Sequence, residues 1–165
     1  MFVGRYYHTV EQKGRTAIPI VFRKGLGKDP VITRGLDGCL FLFKQEEWQH
    51  FTMSVNKTSF TKKAHRDFTR LMLNDASMLQ FDAQGRGLIP EYLRATAQLK
   101  KNVVFAGSGN RVELWDRDTY HRYVEALEAR AEDVSEAFEV NLPAIGNSAQ
   151  DNEQDNALDN TKETA

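Results

Sequence analysis

A nine-residue signature occurs twice in this 165-residue chain, and that duplication constrains the fold more than any other feature. Glu11-Gln12-Lys13-Gly14-Arg15-Thr16-Ala17-Ile18-Pro19 and Asp82-Ala83-Gln84-Gly85-Arg86-Gly87-Leu88-Ile89-Pro90 both read acid, two residues, Gly, Arg, two residues, Ile, Pro, at an offset of 71. The flanks align as well: Val31–Gly35 with Val103–Gly107 and Leu40–Phe43 with Val112–Trp115, at an offset of 72. Each unit of about 50 residues is therefore a signature, a short amphipathic piece, an apolar run, a Gly-containing turn and a second apolar run.

The local chemistry of the signature predicts a bulged turn. An acid at the first position and Gly at the fourth fit a type I turn, with the Gly free to take the left-handed conformation that follows it. Tyr6–Val10 is β-prone, and a strand resumes at Arg15, so each copy reads as a β-hairpin with Arg opening its return strand. Pro19 and Pro90 end those strands and suit helix N-termini, which predicts helices over 19–24 and 90–99. Gly25 and Gly27 are expected to end the first, and Lys100-Lys101 the second. Strands follow at 31–34, 39–43, 103–106 and 111–115, separated by turns at Leu36-Asp37-Gly38 and Ser108-Gly109-Asn110. Helices are expected over 45–56 and 60–73, the latter with Phe60, Ala64, Phe68, Leu71 and Met72 on one face. A long helix capped by Asp116 or Asp118 carries Tyr120, Val124, Leu127, Ala131, Val134 and Phe138. Residues 147–165 are rich in Asn, Asp, Glu and Gln with one leucine, the composition of a disordered tail.

Charge is unevenly spread behind a net value of −1. Residues 1–80 carry 13 Lys/Arg against 7 Asp/Glu, 81–130 carry 8 against 7, and 131–165 carry 1 against 9. A basic body beside an acidic end points to a polyanion partner for the body. The 41% hydrophobic and 27% charged fractions are those of a soluble globular protein, and no run approaches the roughly 18 apolar residues of a membrane span. Cys39 is the single cysteine, read as an inert core residue; an intracellular location follows as the simple expectation.

No motif carries catalysis. Gly107-Ser108-Gly109 lacks the third glycine and the helix of a dinucleotide site and reads as a hairpin turn. Gly25-Leu26-Gly27-Lys28 lacks P-loop spacing, and His8, His50, His65 and His121 are scattered, so neither a cofactor nor a metal site is expected. The signature arginines are the informative side chains. Either Glu11 and Asp82 hold them in local ion pairs that brace the turns, or the carboxylates orient guanidinium forks toward phosphates and guanine edges. On the second reading the DNA-binding residues are Arg15 and Arg86, with Lys13, Gln84, Arg5 and Arg34 behind them.

The chain resembles the MraZ family of bacterial transcriptional regulators, built from two SpoVT-AbrB-type modules, over residues 1 to about 140. The likeness rests on Met1-Phe2, Gly4, Lys13-Gly14-Arg15, Ile18-Pro19, Phe22-Arg23 and Thr33–Leu40 in the first copy. In the second it rests on Asp82, Gly85-Arg86, Ile89-Pro90, Leu93-Arg94, Gly107 and Gly109–Asp116. The resemblance implies an α+β fold, a swapped-hairpin AbrB-like β-barrel formed by the two repeats with flanking helices. It implies a homo-oligomeric ring that binds short direct repeats in double-stranded DNA and represses the division and cell-wall gene cluster, its own promoter included. A cytoplasmic, nucleoid-associated location goes with that. The family's Asp-x-x-x-Arg motif maps onto Asp82 and Arg86 unchanged, whereas Glu11 stands where Asp is usual, and Val3 where the family commonly has Arg. The expected division is module 1 at 1–50, a helical linker at 51–76, module 2 at 77–120, a C-terminal helix at 121–142 and an acidic tail at 143–165. The competing class is an AbrB-like antitoxin or oligomeric scaffold acting through protein partners, although such antitoxins usually carry one module.

Residues 147–165 carry five acids and one lysine and lack a core-forming pattern. Deleting them is expected to leave melting temperature and oligomeric state unchanged and DNA affinity equal or higher at low salt, by relief of competition for the basic surface. Calorimetry, light scattering and a gel shift on the truncated chain check this.

Overall fold

The computed structural model describes residues 1–139, so the 140–165 segment, including the expected acidic tail, lies outside the described residues. The chain divides into a unit of Met1–Glu125 and a second of Ala126–Ala165. It is α+β. In chain order the elements are β1 (Arg5–Thr9), β2 (Arg15–Ala17), α1 (Ile20–Leu26), β3 (Val31–Arg34), β4 (Leu40–Phe43), α2 (Gln45–Asn56) and α3 (Lys63–Leu73). There follow β5 (Ser77–Met78), β6 (Arg86–Leu88), α4 (Glu91–Thr96), β7 (Asn102–Ser108), β8 (Arg111–Asp116), α5 (Arg117–Glu128) and α6 (Ala131–Glu139).

The strands form a six-stranded antiparallel sheet in the order β1-β7-β8-β4-β3-β5 and a separate two-stranded ribbon of β2 and β6. The order is symmetric about the β8–β4 contact, where Leu40 faces Leu114 and Leu42 faces Val112. Each repeat supplies a hairpin, β3–β4 or β7–β8, while its leading strand pairs with the other repeat's hairpin: β1 with β7, and β5 with β3.

Both faces of the central strands are covered, which is why they read as continuous apolar runs rather than alternating ones. Leu40, Leu42, Val112, Leu114, Val103 and Phe105 share a core with Ile18, Ile89, the α1 residues Phe22 and Leu26, Leu93 of α4, and Ala97 just past it. Cys39, Phe41, Phe43 and Trp115 point the other way, toward Met72, Trp48, Phe51, Tyr120 and Tyr123. Each fully buried aliphatic or aromatic side chain in these clusters stabilises the fold by roughly 1.5–3 kcal/mol. Two buried polar groups join elements: Thr33 Oγ1 donates to the carbonyl of Met72 at 2.6 Å, and Asp116 accepts from the N–H groups of Lys100, Asp118 and Thr119. The last two of those bonds are the expected cap of α5. Burial first, then the Glu113 and Asp37 charges, pushes the Cys39 thiol far up, so it stays protonated in the core.

Several expectations need correcting. The arms of each signature do not ladder with one another; single bridges, Val10 with Thr16 and Phe81 with Gly87, join them, and the return strands β2 and β6 pair together instead. Gly25 lies inside α1, and only Gly27, at φ 82°, closes it. α4 ends at Thr96 rather than at the lysines, because Gln98 takes φ 49° and turns the chain. Phe60 precedes α3 and is 80% exposed; Arg66 Nη1 donates to the carbonyls of Phe60 and Thr61, which fixes that turn outside the helix. The single long C-terminal helix is two, α5 and α6, and Arg130 N–H bonds the Leu127 carbonyl in the tightened last turn of the first.

The N-terminus is part of the core. Phe2 N–H donates to the Gly109 carbonyl at 2.7 Å and the Gly109 N–H returns to Phe2 at 3.0 Å, while the Phe2 ring meets Phe22 edge-on at 5.9 Å. A Cβ on Gly25 would stand 2.7 Å from Phe2 Cε1, so the helix keeps a glycine at that position. An exposed helical Gly→Ala change normally stabilises by up to about 1 kcal/mol. Here Gly25→Ala is expected to destabilise by about 1–3 kcal/mol through overpacking, and Phe2→Leu in the same chain to recover part of the loss. Urea unfolding of the two single variants and the double variant measures the coupling.

Candidate nucleic-acid interface

The two signatures fold into matched turns. Glu11 N–H donates to the Arg15 carbonyl at 2.7 Å and Gly14 N–H to the Glu11 carbonyl at 2.8 Å; the counterparts are Asp82 to Arg86 at 3.0 Å and Gly85 to Asp82 at 2.9 Å. Gly14 and Gly85 hold φ of 84° and 73°, the left-handed region that a glycine reaches without steric cost. Past the turns, β2 and β6 run antiparallel with Arg15 opposite Leu88, Thr16 opposite Gly87 and Ala17 opposite Arg86. One further bond at each end locks the exchange: Ile18 N–H to the Gly85 carbonyl at 3.3 Å, and Ile89 N–H to the Gly14 carbonyl at 2.9 Å.

Alternation along the ribbon decides which side chains face out. Thr16 is fully buried and its hydroxyl donates to the Thr9 carbonyl at 3.0 Å. Gly87 is its partner because a Cβ there would lie 2.9 Å from the Leu79 side chain. Arg15 and Arg86 therefore lie on the outer side, Arg15 exposed and Arg86 partly so.

Their surroundings differ. Arg86 Nε donates to Asp82 Oδ2 at 2.8 Å and its Nη1 to Glu11 Oε1 at 2.9 Å, so one guanidinium bridges carboxylates from both signatures. Asp82 Oδ1 also accepts the Gln84 and Arg86 backbone N–H groups, each at 2.9 Å. The Arg86 backbone bond first, then its side chain and the Gln84 N–H, hold the Asp82 carboxyl below its usual range, and the Asp82 and Glu11 bonds raise Arg86 further. Arg15 has no such clamp: among the described residues its side chain has neither an ion pair nor a hydrogen bond, and Glu11, four residues before it, reaches Arg86 instead. The turn-bracing reading thus holds for Arg86 and not for Arg15.

Of the other expected residues, Lys13 and Arg5 are exposed and their side chains carry no ion pair among the described residues. Gln84 is exposed at the tip of the second turn, bound through its backbone alone. Arg34 is committed elsewhere, its Nε donating to Asp75 at 2.9 Å and its Nη2 reaching Thr96 Oγ1 at 3.5 Å. Two further arginines, not among the expected residues, lie against the turns. Arg94 of α4 lies across Gly14, with a hypothetical Cβ there only 2.7 Å from its Nε, and that Nε donates to the Ile89 carbonyl at 3.2 Å. Arg23 of α1 lies across Gly85 in the same way. Their signal was available: each stands nine residues after its own signature glycine.

Asp82 contributes stability that is complete above the ordinary carboxylate range and is lost as pH falls through its depressed folded value. Asp82→Asn keeps an oxygen for the two backbone N–H groups but loses the charge. Its melting temperature is expected to fall below that of the parent chain at neutral pH, with the gap closing toward pH 2. Melting curves of both proteins between pH 2 and 7 test this.

The MraZ family model, described as "MraZ protein, putative antitoxin-like", matches residues 1–71 and again 72–141. The Transcriptional regulator MraZ of Carboxydothermus hydrogenoformans is 41% identical over 136 residues, 82% of this chain and 95% of that protein. Those of Caldanaerobacter subterraneus subsp. tengcongensis and Ligilactobacillus salivarius are 40% and 41% identical over the same shares. With both repeats matched and relatives at this identity along most of its length, the chain belongs to the MraZ family, whose matched members carry the name transcriptional regulator.

Proposed function

We propose that this chain is a non-enzymatic, sequence-specific DNA-binding regulator of transcription, a repressor of the division and cell-wall gene cluster and of its own promoter. The outer side of the signature ribbon meets DNA, with Arg15 as the leading contact, Lys13 and Arg5 beside it and Gln84 at the second turn. The observation that carries the reading is the exposed Arg15 guanidinium, without an ion pair or hydrogen bond among the described residues, on a backbone held by the β2–β6 pairing. An arginine without a carboxylate partner, on a backbone held in place, suits phosphate oxygens or the O6/N7 edge of guanine. The relatives' shared name and the basic balance of residues 1–80 support the same reading.

The reading carries with it an architecture: two SpoVT-AbrB modules, 1–50 and 77–120, joined by a helical linker at 51–76, closing as a swapped-hairpin barrel. The exchanged pairing of β1 with β7 and β5 with β3 supports it. Several copies in a closed ring then engage short direct repeats together, gaining avidity where one ribbon offers few contacts. The protein works in the cytoplasm on the nucleoid. No helix among the described residues is long and apolar enough to cross a membrane. The family description's antitoxin-like wording favours one second reading, a scaffold acting through protein partners.

A gel shift and salt titration on a duplex of the chain's own upstream region decide between them. Arg15→Ala is expected to weaken binding and lower the salt slope by roughly 0.9 if it meets phosphate. If it is bidentate to guanine, it costs about 1–3 kcal/mol and relaxes preference at that base. Arg86→Ala is expected to lower the melting temperature while the slope stays. Parent-like affinity and slope for Arg15→Ala would defeat the proposal and bring the scaffold reading forward.

A further inference from the structure

We infer that Arg23, on the first repeat's helix, is the phosphate-binding cation of the second signature turn, in the place that Arg86 holds by sequence. The inference rests on the proposed DNA contact of the ribbon and adds a residue to it. Three observations carry it. Arg86, the cation that the Asp82 turn supplies itself, is held by two carboxylates, and a phosphate reaching it would have to displace Asp82 and Glu11 first. The guanidinium of Arg23 fills the space beside Gly85 where a Cβ would stand, with its Nε 3.1 Å from that point. It therefore lies on the backbone between Gln84 and Arg86, at the same turn. Lastly, the Arg23 side chain has no hydrogen bond and no carboxylate partner among the described residues, whereas its repeat equivalent Arg94 is tied to the Ile89 carbonyl.

A half-buried guanidinium whose Nη1 end sits against a glycine, and which makes no hydrogen bond among the described residues, is held in place for an anion. The conformational cost of fixing a long side chain is already met by the packing. Glycine at position 85 then serves two ends: it permits φ 73° in the turn, and it leaves room for an arginine from the other repeat. Among the described residues the first turn is left with the uncommitted cations Arg15 and Lys13 and the second with Arg23. All three come from the first repeat, in line with its larger excess of basic residues.

The rival explanation is that Arg23 only packs the turn. Salt titrations of binding to the upstream duplex and to a scrambled duplex of the same length separate the two. Arg23→Gln keeps the length and planarity but not the charge. Its expected slope is about 0.9 lower on both duplexes, so that raising salt from 50 to 200 mM costs it roughly 3.5-fold less affinity than the parent loses. Arg23→Lys is expected to keep the slope. In the unmodified protein, phenylglyoxal is expected to label Arg23 when DNA is absent and to be blocked when the duplex is bound. A parent-like slope for Arg23→Gln, a slope for Arg23→Lys as low as that of Arg23→Gln, or equal labelling with and without DNA overturns the inference. Arg15→Ala in the same series separates the levels. If it lowers the slope or the affinity while Arg23→Gln keeps a parent-like slope, this inference alone fails; if neither variant lowers the slope and Arg15→Ala also keeps parent-like affinity, the ribbon is not the DNA surface.

Discussion

The antiparallel pairing of two three-residue strands, β2 and β6, is the contact on which the rest of this molecule depends. Neither strand has enough partners in its own repeat, since its leading arm meets it only at a single bridge. Together they satisfy each other's backbone groups, and the flanking bonds from Ile18 to Gly85 and from Ile89 to Gly14 extend the ladder into both turns. Register is fixed by what each face must hold. Thr16, Gly87, Ile18 and Ile89 are buried, and a slip of one residue would drive Arg15 and Arg86 into the core. The chain therefore pins its outward-facing cations by burying the residues between them.

The larger sheet repeats that logic. Its order is symmetric about β8 and β4, and each repeat lends its leading strand to the other's hairpin. A single repeat would leave an apolar hairpin edge unpaired, an arrangement that folded chains avoid. Phe2 closes one such region: its backbone pairs with Gly109, and its ring fills the space that Gly25 leaves open in α1. At Gly107 a Cβ would lie 2.5 Å from the Phe2 carbonyl carbon, so the glycines here record close approach of the N-terminal strand.

Local chemistry was legible in the residues; pairing over distance was not. The two turns, the glycines at positive φ, helix 45–56, the β3–β4 and β7–β8 hairpins and the Asp116 cap all follow from patterns a few residues long. The partner of a return strand 71 positions away does not, because a three-residue strand has too little pattern to name its mate. For the same reason Gly25 read as a helix stop: glycine ends many helices, and only the Phe2 ring beside it explains why it sits within one. Phe60 fitted the spacing of the α3 face, yet the turn held by Arg66 excludes it from the helix. In the candidate site, spacing identified the arginines, but not that Glu11 spends its charge on Arg86 rather than on Arg15.

That last detail shows how a duplicated scaffold becomes unequal. Asp82 is short enough to fold back on its own turn and accept the Gln84 and Arg86 N–H groups while it pairs with Arg86 Nε. The bond that Glu11 makes runs instead across the ribbon, to Arg86 Nη1 at 2.9 Å; the extra methylene gives its carboxylate the reach to leave its own turn. Both acids then converge on the same guanidinium, and among the described residues the Arg15 side chain is left without an ion pair. Exposed ion pairs of this kind contribute little to stability. They weigh more on which charges remain free to meet a polyanion. Among the described residues the second signature's own arginine is thus neutralised and the first signature's is not, and the backbone ribbon that joins them keeps that difference fixed in space.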